Sequence, residues 1–179
     1  MTDLDLTLPS EGDVVDLILA DHRRFEELLR DLRDSTSDRA EVRHVFATLH
    51  VAHAEAEEAE VYPTLRHDDA IDQHEADHGR EEHAEGNQAL LDVLEVADVQ
   101  SEEFDDKLEE LAKLVNHHLT EEELTILNPA REDVDVDERA RLGAAFLKVR
   151  NAHIEDNCGT VENLRAVVAE ARDEGFLDG

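Results

Sequence analysis

Two stretches of this chain carry a histidine followed four residues later by a glutamate, His53-x-x-x-Glu57 and His118-x-x-x-Glu122, each set in an apolar stripe of helical period. Residues four apart in a helix lie one turn above each other on the same face, so each imidazole and its carboxylate can reach a single ion. A proline follows each pair, at Pro63 and at Pro129, as though one ligand-bearing unit had been used twice. An inward polar pair constrains the fold strongly. A carboxylate or imidazole left alone in an apolar core costs roughly several kcal/mol, so other elements must bring matching groups to the same depth.

Four segments show the required periodicity, and each sets a histidine where Leu or Val would ordinarily stand. The first is predicted to start at Ser10, with Asp13 completing a capping box, and its stripe reads Val15, Ile18, His22, Phe25, Leu29, Leu32. The second starts near Ser37 and runs Val42, Phe46, Leu49, His53, Ala56 with Glu57. In the third, Leu90, Leu94 and Ala97 define the buried stripe, and counting back by sevens from Leu90 reaches His83 and then Ala76. His78 and His74 fall about 140° and 180° round that helix from His83, at about 100° per residue. The fourth opens near Ser101 and alternates through Phe104, Leu108, Leu111, Val115, His118, Glu122 to Ile126. His44, His50, His67 and His117 read as solvated surface. Short polar connections imply antiparallel neighbours, so the expected fold is all-α, an up-down-up-down four-helix bundle over residues 10–130. Beyond Pro129 two more helices are expected, broken at Gly159. They form a C-terminal extension over 131–179 that lays Leu142, Ala145, Phe146 and Val149 on the bundle's outside.

Composition agrees with helices. Only 3 % of the 179 residues are aromatic, Trp is absent, and Gly and Pro number seven and three, so the core must be built from Leu, Val, Ala and a few Phe. The 48 acidic and 17 basic residues leave a net charge of −31, which offers no positive footprint for nucleic acid or an anionic membrane. An acidic, Lys-poor surface of this kind suits concentrated salt, where screening removes self-repulsion, and marks the chain as halophilic in character. The single Cys158 rules out an intramolecular disulfide and a cysteine metal cage. With no signal-peptide pattern at the N-terminus and no run of roughly 18 apolar residues, the expectation is a cytoplasmic protein.

Pairing the helices brings His22, His53, Glu57, His83, His118 and Glu122 to a similar depth, because His83 and His118 lie at nearly equal distances either side of a turn near residue 99. Imidazole with carboxylate favours iron, manganese or zinc over calcium or a thiolate-seeking ion. Two carboxylates able to bridge, with four nitrogen donors divided between the ends, suit two adjacent ions. Iron uses that geometry most fully, since two close ions can share one oxygen species and exchange two electrons. No pair of facing Glu-x-x-His motifs is present, which disfavours a ferritin-type oxidase.

These residues resemble the hemerythrin-like proteins, or HHE cation-binding domain. The likeness rests on an isolated His22, then His53-x-x-x-Glu57, then His83, then His118-x-x-x-Glu122. It extends to the words Leu-Ala-Asp-His-Arg-Arg-Phe at 19–25, Glu-Val-Tyr-Pro at 60–63 and His-His-Leu-Thr-Glu-Glu-Glu at 117–123. It covers about residues 10–130, with a tail to about 153 similar to that of bacterial members. The resemblance implies a non-haem di-iron centre, with Glu57 and Glu122 as bridging carboxylates, four terminal histidines, and oxygen or another small diatomic or peroxide as the partner. Respiratory relatives carry an extra histidine four residues before the third-helix ligand, where this chain has Gly79. Three arrangements follow: His78 substitutes through a local distortion, His74-x-x-x-His78 takes over the third-helix role, or one coordination position stays open. The functions implied are oxygen binding, redox chemistry on hydrogen peroxide or nitric oxide, and iron holding or sensing.

Overall fold

The computed structural model describes residues 6–178, and every regular element among them is helical. Helix α1 spans Val14–Arg33, α2 Arg39–Ala56, α3 Tyr62–His67, α4 Gln73–Leu94, α5 Glu102–Glu122, α6 Asn128–Asp133, α7 Val136–Glu155 and α8 Val161–Asp173. Helices α1, α2, α4 and α5 form a closed ring of neighbours, α1 on α2, α2 on α4, α4 on α5 and α5 on α1. Helix α7 lies against α2 and α1, and α8 against α4.

The helix starts follow their caps. Ser101 caps α5 by accepting from the Phe104 amide, and Asp72 and Glu75 close a reciprocal capping box on α4. Helix α1 starts later than Ser10: Asp13 is its N-cap, accepting from the Val15 amide, because Gly12 before it takes a positive φ of 156°. The approach to α1 depends on another glycine. A Cβ on Gly143 of α7 would lie 2.0 Å from the Gly12 carbonyl oxygen, so only glycine lets the two segments meet there.

The predicted stripes of α1, α2 and α5 are buried along their length. In α4 the stripe holds through Ala76, His83 and Leu90, then moves to Val93 and Val96, leaving Leu94 half-buried and Ala97 exposed. The helix ends at Leu94, so helical spacing no longer governs the residues after it. His50, expected on the surface, is buried at 6 % exposure. It lies within the ring, against Phe25 of α1 and Gly86 and Asn87 of α4; with α7 packed on α2 as well, α2 is buried on nearly every side from Phe46 to Ala54.

On each ring helix the ligand-type residues separate two apolar clusters. One contains Phe25, Leu29, Phe46, Leu90, Phe104 and Leu111; the other contains Val15, Ile18, Leu65, Ile126, Leu142 and Phe146. The polar layer between them is the candidate site.

Candidate metal centre

Both His-x-x-x-Glu motifs end an α-helix in the same way. Immediately after them the backbone widens into a π-turn, Glu57–Val61 and Glu123–Leu127, and returns to α-helix with Pro63 or Pro129 in the first turn. Proline has no N–H to give and its ring crowds the carbonyl four residues back, so a turn one residue wider accommodates it without ending the helix. The widening sets Glu57 and Glu122 at a change of pitch, where a side chain is re-aimed relative to the helix before it.

All six predicted residues are brought together and buried. His53 Nε2 stands 3.0 Å from Glu57 Oε1, and His83 Nε2 stands 3.1 Å from Glu57 Oε2, so the two oxygens of Glu57 face histidines of different helices. One oxygen of Glu122, Oε2, lies 3.2 Å from His22 Nε2 and 3.6 Å from His118 Nε2. The imidazoles form two pairs, His22 with His53 at 5.4 Å between ring centres and His83 with His118 at 4.6 Å. Potential ligand atoms cluster accordingly into His22, His53, Glu57 and Glu122, and into Glu57, His83 and His118, with Glu57 common to both.

The fit to a cation can be judged from what these atoms lack. Among the described residues, eight buried side-chain polar atoms have no hydrogen-bond partner, and six of them belong to this cluster: Nε2 of His22, His53 and His118, both oxygens of Glu57, and Glu122 Oε2. Buried polar atoms are nearly always satisfied, so a convergent set of orphans calls for a shared positive partner. Ions that bind at about 2.0–2.2 Å, with neighbouring ligands at right angles, hold those ligands about 2.8–3.1 Å apart, close to the separations around Glu57.

The outward nitrogens show the complementary pattern. His22 Nδ1 donates to Glu123 Oε1 at 2.9 Å, His53 Nδ1 to Asp21 Oδ2 at 3.0 Å, His83 Nδ1 to Glu58 Oε1 at 2.8 Å, and His118 Nδ1 to Glu82 Oε2 at 2.8 Å. Each donation fixes a tautomer that leaves Nε2 bare, the arrangement in which a carboxylate orients a metal-binding histidine and raises its basicity. Asp21, Glu58, Glu82 and Glu123 each sit beside a predicted ligand in sequence and brace the histidine of the next helix, so the supports close a ring from α1 through α2, α4 and α5 back to α1. The doublets Asp21-His22, Glu57-Glu58, Glu82-His83 and Glu122-Glu123 were the available sequence signal, and periodicity alone did not pick them out.

Charge follows from this wiring. Burial by itself would depress His53, but Glu57 and Asp21 overcome it and hold the imidazole up to about 10. His83 is likewise held well above its ordinary value, against burial, by Glu57 and Glu58, and Glu57 is kept well below the usual carboxylate range by His53 and His83. In the absence of an ion, protons on these rings supply the positive charge that the carboxylates need.

Three further residues complete the surroundings. Arg150 of α7 grips Asp21 with two bonds of 2.7 Å, Nε to Oδ2 and a terminal nitrogen to Oδ1, and Phe146 of the same helix sets its ring edge-on to His53 at 5.7 Å. Tyr62 donates its hydroxyl to Glu122 Oε1 at 2.9 Å and comes within 3.4 Å of His83 Nε2. Its ring stacks on His83, and it borders a cavity of about 130 Å³ lined also by Glu58, Ala76 and Arg80. His74 and His78 are not part of the cluster. Both are exposed and stack on each other at 6.2 Å, outside the cluster.

The family model for the hemerythrin HHE cation-binding domain matches residues 13–130. The chain belongs to the hemerythrin HHE family. Among curated proteins, a DNA nickase from Nostoc sp. strain PCC 7120 is 25 % identical over 150 residues, which is 82 % of this chain and 41 % of that protein. The chain therefore spans less than half of that relative's length. No solved structure matches it. A hemerythrin-like domain whose buried His/Glu cluster can hold metal cations is consistent with both the match and the geometry. Among the described residues, no helix is long and apolar enough to cross a membrane.

Proposed function

We propose that this chain is a non-haem di-iron protein that binds oxygen or a related small ligand, with His22, His53, His83 and His118 as terminal ligands and Glu57 and Glu122 as carboxylate bridges. The observation that carries the reading is the division of labour within the cluster: every histidine gives its Nδ1 hydrogen to a dedicated carboxylate, while the atoms left without partners all point at one another. When bound, a pair of irons supplies two adjacent redox centres able to exchange two electrons with one small ligand. The protein holds the ligand set rigid through the ring of carboxylates, shares Glu57 between two histidine pairs, and keeps bulk water out with apolar layers above and below. Tyr62 holds a hydroxyl hydrogen on Glu122 Oε1, where it fixes that carboxylate and leaves Oε2 to face the histidines.

A second reading, a redox enzyme acting on hydrogen peroxide or nitric oxide, is favoured by one specific feature. The site has no fifth histidine, and a phenol stands where one from residue 79 would project. A bound metal would then have one histidine fewer to hold it on that side, with the Tyr62 hydroxyl nearby. Stopped-flow mixing of the reduced, iron-loaded protein separates the readings: a reversible oxygen adduct supports binding, and fast catalytic loss of peroxide or nitric oxide supports the enzyme. Neither response would leave iron holding or sensing. A role on DNA, as in the name of the Nostoc relative, is disfavoured by the net charge of −31. We also take residues 10–130 as an antiparallel metal-holding bundle, 131–179 as an extension that braces it, and the cytoplasm as its compartment.

A further inference from the structure

Outside the six-residue cluster, one buried carboxylate oxygen among the described residues remains without a hydrogen-bond partner, Oε1 of Glu82. The Glu82 side chain is only 8 % exposed, and its other oxygen is committed to His118 Nδ1 at 2.8 Å. Oε1 faces outward between α4 and α5, and two surface imidazoles converge on it: His117 Nε2 at 3.3 Å and His78 Nε2 at 3.6 Å. The Nδ1 atom of His78 lies on the side of Glu81, 3.8 Å from its Oε2, and Nε2 on the side of Glu82.

Two nitrogen donors and one carboxylate oxygen form the donor set of a divalent first-row transition ion. Two of the three ligand separations agree with that chemistry, and the two imidazoles have still to close on each other. A tetrahedral ion with bonds of about 2.0–2.2 Å holds its ligands about 3.3–3.6 Å apart, the separation of each imidazole nitrogen from Oε1. Both histidines are exposed, so small rotations of free side chains can close them on a common ion, and water can complete the shell. Neither is placed for the inner cluster: His78, a candidate ligand in the sequence, is not used there, and His117 reads from the sequence as surface.

We propose that His78, His117 and Glu82 form a second, outer cation site, which takes a divalent first-row transition ion such as zinc or ferrous iron at the protein surface. Glu82 then links the two sites, with Oε1 on the outer ion and Oε2 on the histidine His118 of the inner cluster. An ion captured outside stands one carboxylate away from the interior, a position suited to admitting ions to it or reporting the outer cation supply. The outer site itself does not depend on what the inner cluster binds; only this link rests on the di-iron reading.

The test is a zinc titration of iron-loaded protein by calorimetry in concentrated salt, which screens nonspecific binding to the acidic surface. It compares the parent with His78→Ala, His117→Ala, the double variant, and His74→Ala as a control, with iron content measured before and after. One further zinc per chain is expected in the parent, with affinity reduced at least tenfold in each single variant, abolished in the double variant and unchanged in His74→Ala. A zinc equivalent that persists in the double variant, or no zinc bound by the parent above it, overturns the proposal. The iron count, read on the same samples, tests the di-iron reading separately.

Discussion

Tyr62 and Gly79 occupy complementary space: a Cβ on residue 79 would come within 2.8 Å of the Tyr62 hydroxyl oxygen and 3.0 Å of its ring. The glycine is there because the phenol is. The ring fills the site edge where a histidine from α4 would otherwise project, and its hydroxyl bonds Glu122. Gly79→Ala is therefore expected to destabilise the protein by about 1–3 kcal/mol through overpacking against a fully buried ring. Tyr62→Phe should lose the bond to Glu122 but relieve part of the Gly79→Ala cost, since it removes the atom in closest contact. A double-mutant cycle from urea unfolding measures the coupling, and additive effects would show that the two residues do not share this space.

Helix α7 lies beyond the matched family segment, yet through Arg150 it grips the carboxylate that orients His53. Removing one partner of a buried ion pair leaves the other charged and unsolvated, so Arg150→Ala is expected to cost about 3–5 kcal/mol in stability. Arg150→Lys keeps the charge but not the two-pronged grip and should fall between. Chemical denaturation checks the order. Equal stability of the alanine variant and the parent would mean that Asp21 is supported from elsewhere.

His50 is buried against Phe25 and Phe46, contacts Asn87 Oδ1 at 3.2 Å, and is pushed down to about 3 by burial and by the neighbouring histidines. A depressed imidazole is neutral in the folded protein and protonates more readily in the unfolded chain. Its contribution to stability is complete above the unfolded value of about 6.5 and is lost as pH falls from there toward 3. The slope of unfolding free energy against pH between about 6.5 and 4.5 should flatten in His50→Leu, whatever its absolute stability. Parallel slopes in parent and variant would contradict the assignment.

Much of this architecture is readable from periodicity, and the parts that are not have physical reasons. The six clustered positions followed from asking which polar residues interrupt an apolar stripe, because burial imposes that pattern on a single helix. The carboxylates that brace them belong to neighbouring helices, and no spacing within one segment relates Asp21 to His53 or Glu123 to His22. His50 was misjudged for the same reason: it is buried by Phe25 of α1 and by Gly86 and Asn87 of α4, which no spacing within α2 reveals. The filling of Gly79 by Tyr62 is likewise a consequence of packing between segments.

The acidic surface gives a prediction of another kind. With 48 acidic residues against 17 basic ones, self-repulsion opposes the compact state at low ionic strength and is screened as salt rises. Helicity and melting temperature followed by circular dichroism should therefore increase with sodium chloride from the millimolar to the molar range. Full folding with an unchanged melting temperature in dilute buffer would remove the case for a salt-adapted protein.

The central claim is that Glu57 and Glu122, with four braced histidines, hold two irons. Elemental analysis of protein purified after iron loading, alongside Glu57→Ala, tests it most directly. Two irons per chain are predicted for the parent, with loss of stoichiometric iron when the carboxylate shared by both histidine pairs is removed. A parent with no stoichiometric metal, or with a single zinc, would contradict the account.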